Sequence, residues 1–187
     1  MATEEPPFTV SIQRDGFELR DYPPMVAAEV NVEGSRDAAS NAGFRLLAGY
    51  IFGGNTRREG IAMTAPVMQA PSGGVSIAMT APVMQSGADG KWLVRFIMPR
   101  AYTLDSLPKP DNPKVRLVPL PASRMAVVKF SGLARAPDVA SKTDELRGFM
   151  ASQHLEAIGL PVLARYNPPW TPWFMRRNEV HIPVRVE

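Results

Sequence analysis

Apolar and polar residues alternate along two early stretches, 8–14 (FTVSIQR) and 25–33 (MVAAEVNVE), which is the period of a half-buried strand. Tyr22-Pro23-Pro24 lies between them as a stiff turn. The period then lengthens. Ser35 is placed to cap a helix over 36–52, and Gly53-Gly54-Asn55 stops it. Beyond it the nine residues IAMTAPVMQ occur twice, at 61–69 and 77–85, joined by APSGGVS. Two copies of strand length are too few and too short for a solenoid. They predict a hairpin of related strands, extended by the alternating run 92–98 (WLVRFIM), with Pro66 and Pro82 at bulge or edge positions.

The pattern then returns. Residues 114–119 and 123–131 predict a hairpin around Pro121, and Pro137 opens a helix reaching about 156. Residues 161–167 and 178–186 predict two closing strands. Each half thus reads strand–strand–helix–strand–strand. The expectation is one α+β domain over residues 1–187, with halves at about 8–90 and 91–187.

The two helices differ. On the first, Ala39, Ala42, Gly43, Leu46 and Tyr50 make one stripe, assigned to the sheet. Asn41, Phe44, Arg45, Ala48 and Phe52 make a second stripe with two phenylalanines and one charge, where a wet face is expected. The second helix buries Val139, Thr143, Leu146 and Met150 and wets Lys142, Asp144, Glu145, Arg147 and Glu156. The first helix therefore faces something besides the sheet: the other half, a second copy of the chain, or a ligand.

Charge and composition narrow the function. The 21 basic residues against 18 acidic ones give a net charge of +3 without massed clusters, which argues against a nucleic-acid groove. With no cysteine, disulfides, thiol nucleophiles and cysteine-based metal sites are excluded. The start, MATEEPPFTV, lacks a basic, apolar leader, and no apolar run reaches the ~18 residues of a membrane span. The expected location is the cytoplasm, or the periplasm where a leader has been trimmed.

One loop combines stiffness with apolar chemistry. In YNPPWTPWFMRR, residues 166–177, Pro168, Pro169 and Pro172 restrain a segment bearing Tyr166, Trp170, Trp173, Phe174, Met175, Arg176 and Arg177. It reads either as a lid over the core or as a grip for a flat apolar ligand with anionic groups.

These stretches resemble a known family. The helix ending in GYIFGGN, the IAMTAPV strand, FIMPRAYTLDSLPKPDNPKV, the FSG before the second helix, and YNPPWTPWFMRRNEV together resemble the SOUL/haem-binding-protein family over about residues 8–186. The resemblance implies a distorted β-barrel of pseudo-duplicated halves flanked by two helices. It also implies binding of haem or a related porphyrin, as carrier or buffer, in a shallow apolar cleft beside the first helix and the loop before the last strand. Carried over by motif, the binding positions are Asn41, Phe44, Arg45, Ala48 and Phe52, with Tyr166, Trp170, Trp173, Phe174, Met175, Arg176 and Arg177. Arg45 or the Arg176-Arg177 pair would hold propionates. The early-strand histidine of one branch of the family is missing, since the first histidine is His154.

Other iron ligands and chemistries are weaker. His154 sits at a helix end, and His181 points to the face opposite the core, shared with Glu179 and Arg185. Tyr50 and Tyr166 are candidate anionic ligands, while the strand methionines read as core filler. No nucleophile elbow, phosphate loop or histidine-rich metal spacing marks an enzyme. Glu179, two residues after Arg177, reads as an ion pair anchoring the loop. Alternatively it serves a gyrase-inhibitor-like effector or hydrolase domain, in which a cleft glutamate meets cations. Self-association through the first helix is the third reading.

Overall fold

The computed structural model describes residues 4–71, 90–167 and 170–185. The second copy of IAMTAPVMQ, and with it the expected pairing of the two copies and the placement of Pro82, lies outside them. The elements are β1 (Thr9–Arg14), β2 (Phe17–Tyr22), β3 (Met25–Glu33), α1 (Arg36–Ile51), β4 (Val67–Pro71), β5 (Lys91–Ile97), β6 (Arg116–Leu120), β7 (Ser123–Phe130), α2 (Ala136–Ser152), β8 (Val162–Arg165) and β9 (Asn178–Val184). A single 3-10 turn, Trp173–Met175, precedes β9.

All described strands join one antiparallel sheet in the order β1-β2-β7-β9-β8-β4-β5-β3-β6. The expected barrel is corrected here: β1 and β6 are edges that do not meet, so the sheet is open. Pro119 in β6 and an irregular register within β1 blunt those edges.

Turn chemistry explains the strand order. Asp15 and Gly16 hold φ of +49° and +84°, the left-handed pair that a tight hairpin needs, and β1 pairs directly with β2. Pro23-Pro24 and Pro121-Ala122 cannot supply such a pair, because proline fixes φ near −65°. Accordingly β2 does not pair with β3, nor β6 with β7. Instead β2 lies on β7, and β6 on β3. The hairpin expected around Pro121 is therefore absent: each two-strand arm splits and crosses to the other half. The first IAMTAPVMQ copy is strand only from Val67, and it is central, between β5 and β8, so the strand that follows Pro66 is not at an edge.

Both helices lie on one face. α1 starts where Ser35 Oγ accepts from the Ala38 N–H at 3.3 Å. It packs on β3 and β5 through Ala39, Leu47, Tyr50 and Ile51 against Ala28, Val30, Val94 and Phe96. Gly43 permits this approach, because a Cβ there would stand 2.5 Å from Val94 Cγ2. α2 begins with Pro137 in its first turn, while Asp138 accepts from the Arg135 N–H at 3.1 Å. It ends at Ser152, short of the expected Glu156, and covers β7 and β9 through Leu146, Phe149 and Met150. Phe149 stacks on Phe17 with ring centroids 5.0 Å apart.

Candidate functional site

The opposite face of the sheet carries charge in its interior. Alternation along β2 and β9 puts Glu18, Arg20 and Tyr22 beside Glu179 and His181, all buried. Arg20 and Glu179 are fully enclosed, at 0% exposure each. Such charges persist only if paired and hydrogen-bonded. Glu179 Oε2 accepts from Arg20 Nη1 (2.8 Å), the Tyr166 hydroxyl (2.8 Å) and His181 Nε2 (2.7 Å). Its Oε1 accepts from Arg20 Nη2 (3.1 Å), Arg177 Nε (3.1 Å) and Arg177 Nη2 (2.9 Å).

Burial alone would raise the proton affinity of Glu179. Hydrogen bonds and charge from His181 and Arg20 overcome it and hold the carboxyl well below the usual range. Glu18 follows the same balance: burial raises its pKa, and Lys129 at 2.6 Å with Arg20 at 2.6 Å brings it down. Tyr166 moves the other way, because burial and then the Glu179 charge favour the neutral phenol. Burial likewise pushes Tyr50 up to about 12, and its hydroxyl donates to the Pro108 carbonyl at 2.8 Å. Both hydroxyls are thus engaged as donors, Tyr166 to Glu179 and Tyr50 to Pro108.

The N-terminal segment closes this network. Phe8 lies 4.2 Å from the Arg20 guanidinium and 5.4 Å from the Tyr22 ring, and Glu5 accepts from Arg177 Nη1 at 3.2 Å. Three acids, Glu5, Glu18 and Glu179, thereby balance three bases, Arg20, Lys129 and Arg177.

The proline-rich loop grows from this anchor. At its stem Tyr166 donates its N–H to Arg177 O (3.2 Å), Arg177 donates to Asn167 Oδ1 (2.6 Å), and the Arg177 guanidinium lies 3.9 Å over the Tyr166 ring. Its tip is tied by Gly132 N donating to Trp173 O (3.1 Å), while Arg176 Nε donates to Thr171 O (2.8 Å). The large apolar side chains remain outside: Trp170 is 83% exposed, Trp173 60%, Phe174 61% and Met175 64%. Trp173 and Phe174 meet edge to face at 5.7 Å. Leu133, which follows Gly132 in sequence, is also exposed.

The first helix divides differently from its expected stripes. Phe44 turns inward, edge-on to Phe96 at 5.5 Å, and Ala48 is buried. Leu47 and Ile51, in neither expected stripe, are at the centre of the packing. Asn41, Arg45 and Phe52 remain exposed. Arg165 Nη1 donates to Ser40 Oγ (3.4 Å) and Nη2 to Asp37 (3.3 Å), which ties the first turn of α1 to the strand leading into the loop. Phe52 is twelve residues beyond Ser40, about 18 Å along the axis. The tip is thus tied by Trp173 to Gly132, next in sequence to the exposed Leu133. Tyr166 and Arg177 are drawn into the network, and Phe44 and Ala48 into the core.

Arg20, Glu18 and Leu133 were missed from sequence. His154 is exposed at the end of α2, and Arg185 pairs with Glu156 rather than joining the Glu179 face. Among the described residues no cluster of three acids or histidines could hold a metal, and no helix is long and apolar enough to cross a membrane.

An open antiparallel sheet with both helices on one face and an anchored aromatic loop defines a mixed α+β fold. The chain belongs to the SOUL family: the family model described as SOUL heme-binding protein matches residues 3–183. It is 27% identical over 173 residues to Heme-binding protein 1 of Xenopus laevis, covering 90% of this chain and 84% of that one. In fold it is similar to the EcmrR C-terminal domain (TM-score 0.61, 10% identity, 91% and 98% of the two chains). It is also similar to a hydrolase from Listeria innocua (TM-score 0.60, 16% identity, 94% of each chain).

Proposed function

We infer that the chain binds haem or a related planar tetrapyrrole, as a carrier or buffer, on the exposed tip of the flap. The supporting observation is that Trp170, Trp173, Phe174 and Met175 stay exposed on a loop whose ends are fixed, in a family described as haem-binding. The residues fit such a group: flat apolar side chains match a macrocycle face, and covering about 300 Å² of it is worth roughly 7 kcal/mol before the cost of association. Trp173, Phe174 and Trp170 provide that face. Arg176, on the tip, is the arginine for a carboxylate, while Arg45 stays exposed on the middle of α1. Arg177 holds the stem through Glu179 and Glu5. Neither histidine lies in the patch, so binding rests on surface contact and charge, and the affinity is modest.

The alternative, cation recognition or hydrolysis through Glu179, is less well supported. A carboxylate offers about four lone-pair sites, and six N–H and O–H contacts already converge on this one. Self-association through α1 has less apolar surface than expected, since Phe44 and Ala48 face inward.

Haemin titration tests the reading. The native chain should give a saturable one-to-one Soret change. Trp170→Ala with Trp173→Ala should weaken it roughly 30-fold with little change in stability, and Arg176→Ala about three-fold. A non-saturating Soret change, or equal affinity in the double variant, overturns the assignment.

A further inference from the structure

A cleft lies on the helix-bearing face, opposite the Glu179 network. The first turn of α1 and the middle of α2 stand apart over β4 and β8, leaving a cleft of about 260 Å³. Gln69, Leu163 and Val180, paired in register across three strands, form its floor; Trp92 is a wall, and Arg36 and Arg147 stand at its rim.

Two polar atoms in this cleft have no partner among the described residues. Gln69 is only 4% exposed; its Nε2 donates to the Arg36 carbonyl at 2.8 Å, but its Oε1 receives no donor among the described residues. Arg36 Nη1 is buried with no acceptor among the described residues, none of whose carboxylates forms an ion pair with this guanidinium, which lies 5.1 Å from the Trp92 ring. Native interiors rarely leave such groups unmet. The neighbouring polar residues do not supply the need. Thr143 donates to the Val139 carbonyl at 2.7 Å, and Asp144 is paired with Arg147 at 3.7 Å. Arg165, tied to Asp37 and Ser40, adds further positive charge close to Arg36.

An occupant that accepts from the cation and donates to the amide oxygen would satisfy both atoms. The geometry points to a binding site for a small organic carboxylate that carries a hydroxyl or amino group beside the carboxylate and a compact apolar body. The carboxylate meets Arg36, the donor meets Gln69 Oε1, and the body lies against Trp92 and Leu163. The cleft is too small for a tetrapyrrole, so this site is independent of the flap.

Mandelate is a suitable probe, with phenylacetate, which lacks the hydroxyl, and inorganic phosphate as comparisons. Binding to the full chain is followed by amide and indole chemical shifts. Mandelate should saturate with shifts at the Gln69 side-chain amide and the Trp92 indole, and phenylacetate should bind about ten-fold more weakly. Arg36→Gln should weaken both by about ten-fold or more, and Gln69→Met should erase the difference between them. Arg36→Lys, which keeps the charge without the fork, gives the readout if Arg36→Gln does not fold: mandelate should weaken several-fold. No saturation at about 10 mM, a phosphate response as strong as that of mandelate, or affinity unchanged in the Arg36 variant would each overturn the site and leave water as the occupant.

Discussion

The stem and the tip of one loop are built from opposite materials. At the stem, Tyr166 and Arg177 are bonded to a fully enclosed carboxylate and stacked on each other. Within ten residues, at the tip, two tryptophans, a phenylalanine and a methionine stand in solvent. Exposed aromatic area on a floppy segment would cost much ordering entropy on binding; the same area on a fixed stem costs less. The difference teaches that the buried charges of the sheet's far face act at a distance, by setting the geometry of an apolar surface they do not touch.

The strongest way to break this comparison is Glu179→Ala. It leaves Arg20 buried beside an empty position and should cost about 3–5 kcal/mol in urea unfolding. Haemin affinity should fall with it, because the stem loses its anchor. By contrast, the tip variants should lose haemin while keeping stability. If Glu179→Ala unfolds at the native midpoint, the stem is not held as described. Gly43→Ala sharpens the contrast from the other side of the molecule. Its methyl would stand 2.5 Å from Val94 Cγ2, and the overpacking should cost about 1–3 kcal/mol while haemin affinity holds. Normal stability would mean that α1 is not seated on β5.

Acid gives the smallest effect. Glu179 and Glu18 both have folded pKa values lowered from the ordinary glutamate value of 4.5. Their contribution is fully present above that value, declines as pH falls below it, and is lost as pH passes through the folded values. Unfolding midpoints should therefore drop below pH 4.5, with a shallower slope in Glu179→Gln. An unchanged slope in that variant would remove Glu179 from the titration.

Much of the frame was legible in the sequence. Ser35 marked the start of α1, Pro137 that of α2, and the Arg177–Glu179 spacing gave the ion pair. β2 was not found, although Asp15-Gly16 announced its hairpin. Its sequence FELRDY places Glu18 and Arg20 where charge reads as solvent, and only a partner 159 residues away makes burial tolerable. The crossing of β2 and β6 was hidden for a related reason. Prolines exclude a tight hairpin but do not say which distant strand will be paired instead. On α1 the stripes were misplaced because the helix is apolar nearly all round, so its period does not define one buried side. The tip residues were legible as a cluster, and their exposure was not.

Amide hydrogen exchange with and without saturating haemin tests the central claim most directly. Protection should appear across residues 170–176 and around Leu133, while β2 and the middle of α1 remain unchanged. Protection confined to α1 or to the cleft between the helices, with the tip exchanging freely, would contradict the account.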